Sequence, residues 1–306
     1  MHTKEDVRHG LTDLPDTLLN AYDKIYNRIL AQKRSAPRLA LKAFWWIKGS
    51  CTPLQSETVL DAISFEVGET FSREHTIKAN DLLQACQNLI VLDHNLNVFR
   101  FAHLSVDEYL ETRLSKIDAH TEITKVCLSL LASPSLWDGY DRTMVTTDSR
   151  HSYLHLLLYS TVFWPWHFSL CEGTSDLRML HNLWDAFVLG IGYQEWRKYI
   201  RRTVVQNSHN FECSYLYWRR VIAFQQQTVD DPLSSLSIFG LSRACTAVFE
   251  SRTHVEKACL DQLLLLACEF KDQEIVRMLI GQGADVSAAN MERKTPLHLV
   301  LGLWDD

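Results

Sequence analysis

A mainly α-helical fold, ending in a short stack of paired helices and holding one small β-hairpin, is what this sequence predicts. Three observations carry that expectation. Apolar residues recur at helical spacing along most of the chain, as in Leu18, Tyr22, Ile25, Tyr26 and Ile29. One stretch instead sets two β-prone runs, Leu89-Ile90-Val91-Leu92 and Val98-Phe99-Arg100-Phe101, on either side of a polar turn at Asp93-His94-Asn95. Finally, Gln262-Leu263-Leu264-Leu265-Leu266-Ala267 falls onto Thr295-Pro296-Leu297-His298-Leu299-Val300 at an offset of about 33 residues.

Taken in order, Leu14 to Ala31 predicts a first helix with Pro15 near its first turn. Pro37 opens a second helix through Leu41, Phe44, Trp45 and Ile47. After Gly49-Ser50 and a turn at Thr52-Pro53, a third helix runs through Val59, Leu60 and Ile63. A fourth covers Asn80 to Asn88 and leads into the hairpin. Ser105-Val106-Asp107-Glu108 then has the spacing of a capping box ahead of Tyr109, Leu110 and Leu114. Helices, a two-stranded wing and a further helix make a winged-helix layout over 36–115, and a helical connector follows over 116–229. Ser152 to Cys171 approaches membrane-spanning length. With His155, His167 and Pro165 inside and no flanking charge asymmetry, it reads as a buried aromatic-rich helix pair.

In the C-terminal region, 230–306, the Thr295 hydroxyl suits a helix N-cap and Pro296 suits the first turn. Ile275, Val276, Leu279 and Ile280 share one helix face, and Gly283 suits a left-handed stop. This pattern resembles the ankyrin repeat. A degraded copy is read upstream, at Asp231-Pro232-Leu233, Leu236 and Gly240-Leu241, 31 residues before Gln262. The region therefore holds about two to three units, the last incomplete.

Composition narrows the function classes. The chain has 306 residues, 46% of them apolar and 22% charged, which suits about two folded domains. A net charge of −6 gives no general affinity for nucleic acid or membranes. The 8 cysteines form no C-x-x-C pair and read as reduced core residues. The absence of a signal-peptide pattern and of an N-x-[ST] sequon sets a cytoplasmic expectation.

Leu14-Pro15-x-Thr17-Leu18 with Tyr22-x-x-Ile25, the Pro53-Leu54 helix start, and Arg100-Phe101-Ala102-His103-x-Ser105-Val106-x-Glu108-Tyr109-Leu110 resemble the region behind the NTPase domain of fungal NACHT–ankyrin proteins. These belong to the nucleotide-switch STAND class, which is related to NOD-like receptors. His120-Thr121-Glu122-Ile123-x-x-Val126-Cys127-Leu128 and Trp164-Pro165-x-His167 are similar to the same family. The resemblance makes 1–35 a helical segment following an NTPase domain. The phosphate loop of such a domain needs G-x-x-x-x-G-K-[ST], and the chain has no Gly-Lys dipeptide, so ATP-driven switching does not carry over. The expectation is a fragment, a truncated gene product or a decayed relative. In related switch proteins a winged-helix histidine contacts the nucleotide, and here that role falls on His103 as a vestigial nucleotide-sensing candidate.

Other chemistry is weakly supported. Between Leu54 and Leu110, nine acidic residues face three basic ones, Arg73, Lys78 and Arg100, which argues against phosphate binding by the wing. Arg197-Lys198 and Arg201-Arg202 read as a solvated helix face. Neither G-x-S-x-G nor H-E-x-x-H occurs, and His120-Thr121-Glu122 starts a deaminase zinc signature that no P-C-x-x-C completes. His151 and His155 lie one helical turn apart without further ligands. Gly190-Ile191-Gly192 lacks the third glycine of a dinucleotide site. No catalytic residue, metal or cofactor is expected.

The repeats supply the candidate site. In ankyrin domains the exposed turn and adjacent inner helix contact partners, which here implies Ala288, Asn290, Met291, Glu292 and Arg293 at the turn, with Cys268, Phe270 and Lys271 in the preceding unit. The sequence therefore predicts a non-catalytic protein-interaction module that recognises protein partners, self-association being one option, with no nucleic-acid or membrane partner. The family association implies non-self recognition or cell-death signalling. A winged-helix DNA-associated regulator is the alternative, and a remnant of a hydrolase the second.

Overall fold

The computed structural model describes residues 18–68, 77–137, 153–172, 176–207, 215–226, 231–251 and 255–302. It is mainly helical, with one two-stranded sheet. The first helices are α1 (Leu18–Leu30), α2 (Ala36–Gly49), α3 (Ser56–Ser64) and α4 (Ala79–Ala85). Strands β1 (Ile90–Asp93) and β2 (Val98–Phe101) come next. They are followed by α5 (Leu104–Arg113), α6 (Lys116–Ala132), α7 (Pro134–Trp137), α8 (Tyr153–Cys171), α9 (Leu177–Leu189), α10 (Gly192–Asn207) and α11 (Tyr215–Gln226). The C-terminal elements are α12 (Pro232–Phe239), α13 (Ser242–Ser251), α14 (Lys257–Glu269), α15 (Gln273–Gly281) and α16 (Pro296–Leu301).

The expected helix stripe of α1 is present, with Ile29 buried and Tyr22, Ile25 and Tyr26 against the core, although Leu18 is exposed. Leu14, Pro15 and Thr17 lie outside the described residues. The hairpin forms where alternation placed it, antiparallel with Ile90 opposite Phe101 and Asp93 opposite Val98. Asp93 Oδ1 accepts from the amides of Asn95 and Leu96, which closes the turn. One pairing has no sequence signature: Gln55, between α2 and α3, bridges Val98. Two expectations shift. Helix α4 stops at Ala85 because Gln87 and Asn88 take positive φ. Helix α5 is capped not by Ser105 but by His103, whose Nδ1 accepts from the Ser105 amide at 3.2 Å.

Helices α6 and α8 lie side by side at the centre, flanked by α2, α9 and α10. The stretch read as a helix pair is instead one continuous helix, α8, with Pro165 inside it. A proline leaves the carbonyl four residues back without its helical donor. That carbonyl belongs to Thr161, and the Trp196 indole of α10 donates to it at 3.0 Å. The Tyr217 hydroxyl of α11 donates to the next carbonyl, that of Val162. Apolar side chains surround the middle of α8 because 159–165 are buried on all sides, while His155 and Leu170 towards its ends are exposed. No described helix is long and apolar enough to cross a membrane. Arg197 departs from the expected solvated face: it is 2% exposed, with its guanidinium 6.0 Å from the ring centres of both Tyr193 and Phe224. Lys198, Arg201 and Arg202 remain exposed.

At the C-terminal end, first helices stack on first helices, α12 on α14 and α14 on α16, while α13 stacks on α15. That is the arrangement in which each unit contacts its neighbours. Asp231 caps α12 by accepting from Leu233, and Gly240 ends that helix in a left-handed conformation. The upstream copy is thus a real helix pair. Among the described residues the second copy from Thr295 is present as its first helix, α16, so 262–302 holds one pair and a half. Buried apolar side chains form one continuous cluster from Ile29 to Ala284, and α12 packs on α8 and α11.

Candidate interaction surface

The candidate surface is built by the turn between α15 and α16. Gly283, at φ 92, lets the Ala284 amide return to the Leu279 carbonyl at 3.0 Å, the closing bond of a Schellman stop. Asp285 Oδ1 then accepts from the Ser287 amide and hydroxyl at 2.8 and 2.6 Å, and these bonds hold its carboxyl below the usual range. The Asp285 amide itself donates to Asp261 of α14 at 2.7 Å. Asn290 organises the tip: its Oδ1 accepts from the amides of Glu292 and Lys294 at 3.0 and 2.9 Å. Thr295 and His298 form a reciprocal capping box that starts α16.

Between this loop and the body lies a groove of about 260 Å³. Lys271, Asn290 and Glu292, all expected site residues, share its wall. Lys294, His298 and Leu299 continue the wall on the α16 side. Arg219 of α11 and Glu269 at the end of α14 close it. The sequence carried no sign of Arg219, because a connector helix outside the repeat period supplies it.

The remaining expected residues separate. Met291 is fully exposed at the loop tip, Glu292 and Arg293 are exposed beside it, and Ala288 is half-buried. Cys268 is a correction, since it is 2% exposed and faces the core, where no partner reaches its side chain. Phe270 is half-buried under the Arg220 guanidinium, which stands 4.8 Å from its ring centre. Its role in this structure is to support the joint between connector and repeats.

That joint is charged. Arg220 makes two parallel bonds to Asp272 and also donates to the Ile238 carbonyl at the end of α12. Nearby, Glu172 at the end of α8 accepts from the Ala244 amide in the first turn of α13 at 3.2 Å. Burial pushes this carboxyl up to about 7, against the opposing pull of that amide and of Arg243.

His103 serves as the α5 cap described above, and its Nδ1 also lies 2.8 Å from the Ser105 hydroxyl. His120 sits elsewhere, half-buried beside the buried His167: its Nδ1 is 2.8 Å from His167 Nδ1, while His167 Nε2 is 2.7 Å from the Tyr159 hydroxyl. Both nitrogens of His167 are therefore engaged by protein. Among the described residues no three His, Cys, Asp or Glu side chains converge as a metal site. His155 is exposed and His151 lies outside the described residues. The seven described cysteines are free thiols.

Comparison with known proteins bears on this same region. The family model of the ankyrin repeat matches residues 263–291, from the middle of α14 to the loop tip. No curated protein and no solved structure matches the chain. The C-terminal part of this protein therefore contains an ankyrin repeat, a non-catalytic fold that generally mediates protein interactions.

Proposed function

We propose that this chain is a non-catalytic recognition module, acting in the cytoplasm, that binds a protein partner in the groove beside the Asn290 loop. The observation that carries this reading is the groove itself. Lys271, Asn290 and Glu292 meet on one concave wall next to an ankyrin repeat whose loop tip is fully exposed at Met291. Stacked units preform such a surface, so binding costs little ordering. Selection of binders from a random-peptide library, followed by mapping of amide chemical shifts, tests the reading. Peptides should perturb Lys271, Asn290, Glu292 and Arg293. Binders that map only elsewhere, or no binders at all, overturn it.

A finer reading is that 36–115 is a winged helix of the kind found in NACHT–ankyrin proteins, and that recognition serves non-self recognition or cell death. In its support, Gln55 adds a short third strand position to the hairpin, between the first and second helices of that segment. Rapid hydrogen exchange of the Ser56 amide, which bonds to the Asn97 carbonyl beside the Gln55–Val98 pairing, would remove the winged helix. Unchanged incompatibility and death responses after deletion of the gene would remove the biological role.

A further inference from the structure

The groove wall has an uneven charge account. Lys294 is already tied to Glu292 at 3.2 Å. Arg219 and Lys271 are exposed cations on the same wall, and among the described residues neither side chain has an ion-pair or hydrogen-bond partner. Glu269 is the one carboxylate on that wall likewise left without a cation. The side-chain amide nitrogen of Asn290 is also unengaged, because the turn uses only its oxygen. On a chain of net charge −6, the wall nevertheless carries three cations, Arg219, Lys271 and Lys294, against two carboxylates, Glu269 and Glu292, a local excess of positive charge.

Lys271 carries a second signal. It ends α14 at φ 57, the left-handed position that Gly240 fills at the end of the preceding first helix. The amide after it, that of Asp272, bonds back to the Ala267 carbonyl at 3.0 Å, as that of Leu241 does to Leu236 at 2.9 Å after Gly240. A side chain in this conformation is strained where glycine would not be. The strained position is thus occupied by a lysine whose ammonium has no hydrogen-bond or ion-pair partner among the described residues.

Resting on the interaction reading above, we propose that the groove selects an acidic segment of its protein partner, with a carboxylate held between Arg219 of the connector and Lys271 of the repeat. Leu299 offers the adjoining apolar contact, and Asn290 a donor. A polyanion such as a nucleic acid is disfavoured, because Glu269 and Glu292 stand on the same wall and repel a continuous line of phosphates. The site is composite, so the repeat without α11 binds more weakly than the whole chain.

The test uses the same library-selected peptides on the full chain. Those that map to the groove should be enriched in Asp and Glu over the naive library. Affinity for them should fall about fivefold or more in both Lys271→Gly and Arg219→Gln, and should weaken with salt. Lys271→Gly is informative because relief of the left-handed strain makes it at least as stable as the parent, so lost binding cannot be blamed on misfolding. Groove-mapped peptides without acidic enrichment, or unchanged affinity in both variants, overturn the acidic preference and leave the interaction reading standing. If no peptide maps to the groove, both fall. A single-stranded oligonucleotide that displaces acidic peptides at lower concentration than they displace one another also overturns the proposal.

Discussion

Arg220 holds Asp272 through two parallel bonds, Nη1 to Oδ2 at 2.9 Å and Nη2 to Oδ1 at 3.0 Å, and so fastens the connector to the ankyrin repeat. Both side chains are about four-fifths buried, where paired, charge-assisted bonds are strong and a lone partner is costly. Arg220 also covers Phe270 and meets the Ile238 carbonyl, so one side chain ties α11, α12 and the α14–α15 turn together. Arg220→Ala should destabilise by about 2–3 kcal/mol. Arg220→Lys should recover little of that loss, since a lysine cannot make the fork. Denaturant unfolding of both variants and of Asp272→Asn in a double-mutant cycle measures the coupling. Additive effects would show that the pair contributes nothing as a pair.

Two glycines should respond differently from ordinary loop positions. At Gly240, φ is 74 and an added Cβ would sit 3.1 Å from Asp272 Oδ1, so Gly240→Ala should cost about 1–2 kcal/mol and loosen the same joint. At Gly192 the obstacle is space: the Cβ would lie 2.3 Å from the Leu131 carbonyl where α10 crosses the end of α6. Gly192→Ala should cost about 3 kcal/mol or more, as helices are forced apart. Thermal melts rank these; Lys271→Gly, the converse change, should gain about 0.5–1 kcal/mol.

How much of this was legible depends on whether the signal was local. The repeat was readable because its apolar period and the Gly283 stop are short-range patterns, and they delivered Lys271, Asn290 and Glu292 to one groove. The hairpin was readable because alternation fixes faces. Cys268 was misjudged because its side chain follows the buried face of α14, which unit alignment alone did not resolve. The α5 cap was missed because an imidazole, not the nearby serine, accepts the orphan amide. Gln55, Arg197 and Arg219 owe their surroundings to distant parts of the chain, and a single residue in sequence carries no trace of that.

Pro165 gives a third test. A helix with proline in its interior normally loses about 3 kcal/mol or more, and here the Trp196 indole satisfies the Thr161 carbonyl that the proline leaves open. Trp196→Phe keeps most of the ring and removes the donor, so it should cost about 1–3 kcal/mol. In a Pro165→Ala background the restored backbone amide can serve the Thr161 carbonyl itself. The same tryptophan change should then cost less, by about 1 kcal/mol. Equal costs in both backgrounds, measured by denaturant unfolding, would mean that the indole bond does not compensate for the proline.

Two buried groups should give the pH profile opposing contributions. Burial holds the His167 imidazole well below its ordinary value, and the neighbouring His120 adds to this. His120 is itself lowered by burial and by Lys116. The unfolded chain therefore binds protons that the folded chain refuses, so this part of the stability is full above about pH 6.5 and is lost as pH falls below it. Glu172 runs the other way. Its folded value, raised by burial to about 7 from an ordinary 4.5, means that the folded chain binds the proton more tightly, so its contribution declines as pH rises from about 4.5 to 7. Glu172→Gln keeps an acceptor for the Ala244 amide without the charge, and should stabilise relative to the parent at pH 8 but much less at pH 4.5. His167→Gln should flatten the loss on the acid side while costing stability at neutral pH, because the Tyr159 and His120 bonds are imperfectly replaced. Unfolding free energies measured from pH 4.5 to 8 separate the two: an acid limb that keeps its slope in His167→Gln would assign the titration to other groups.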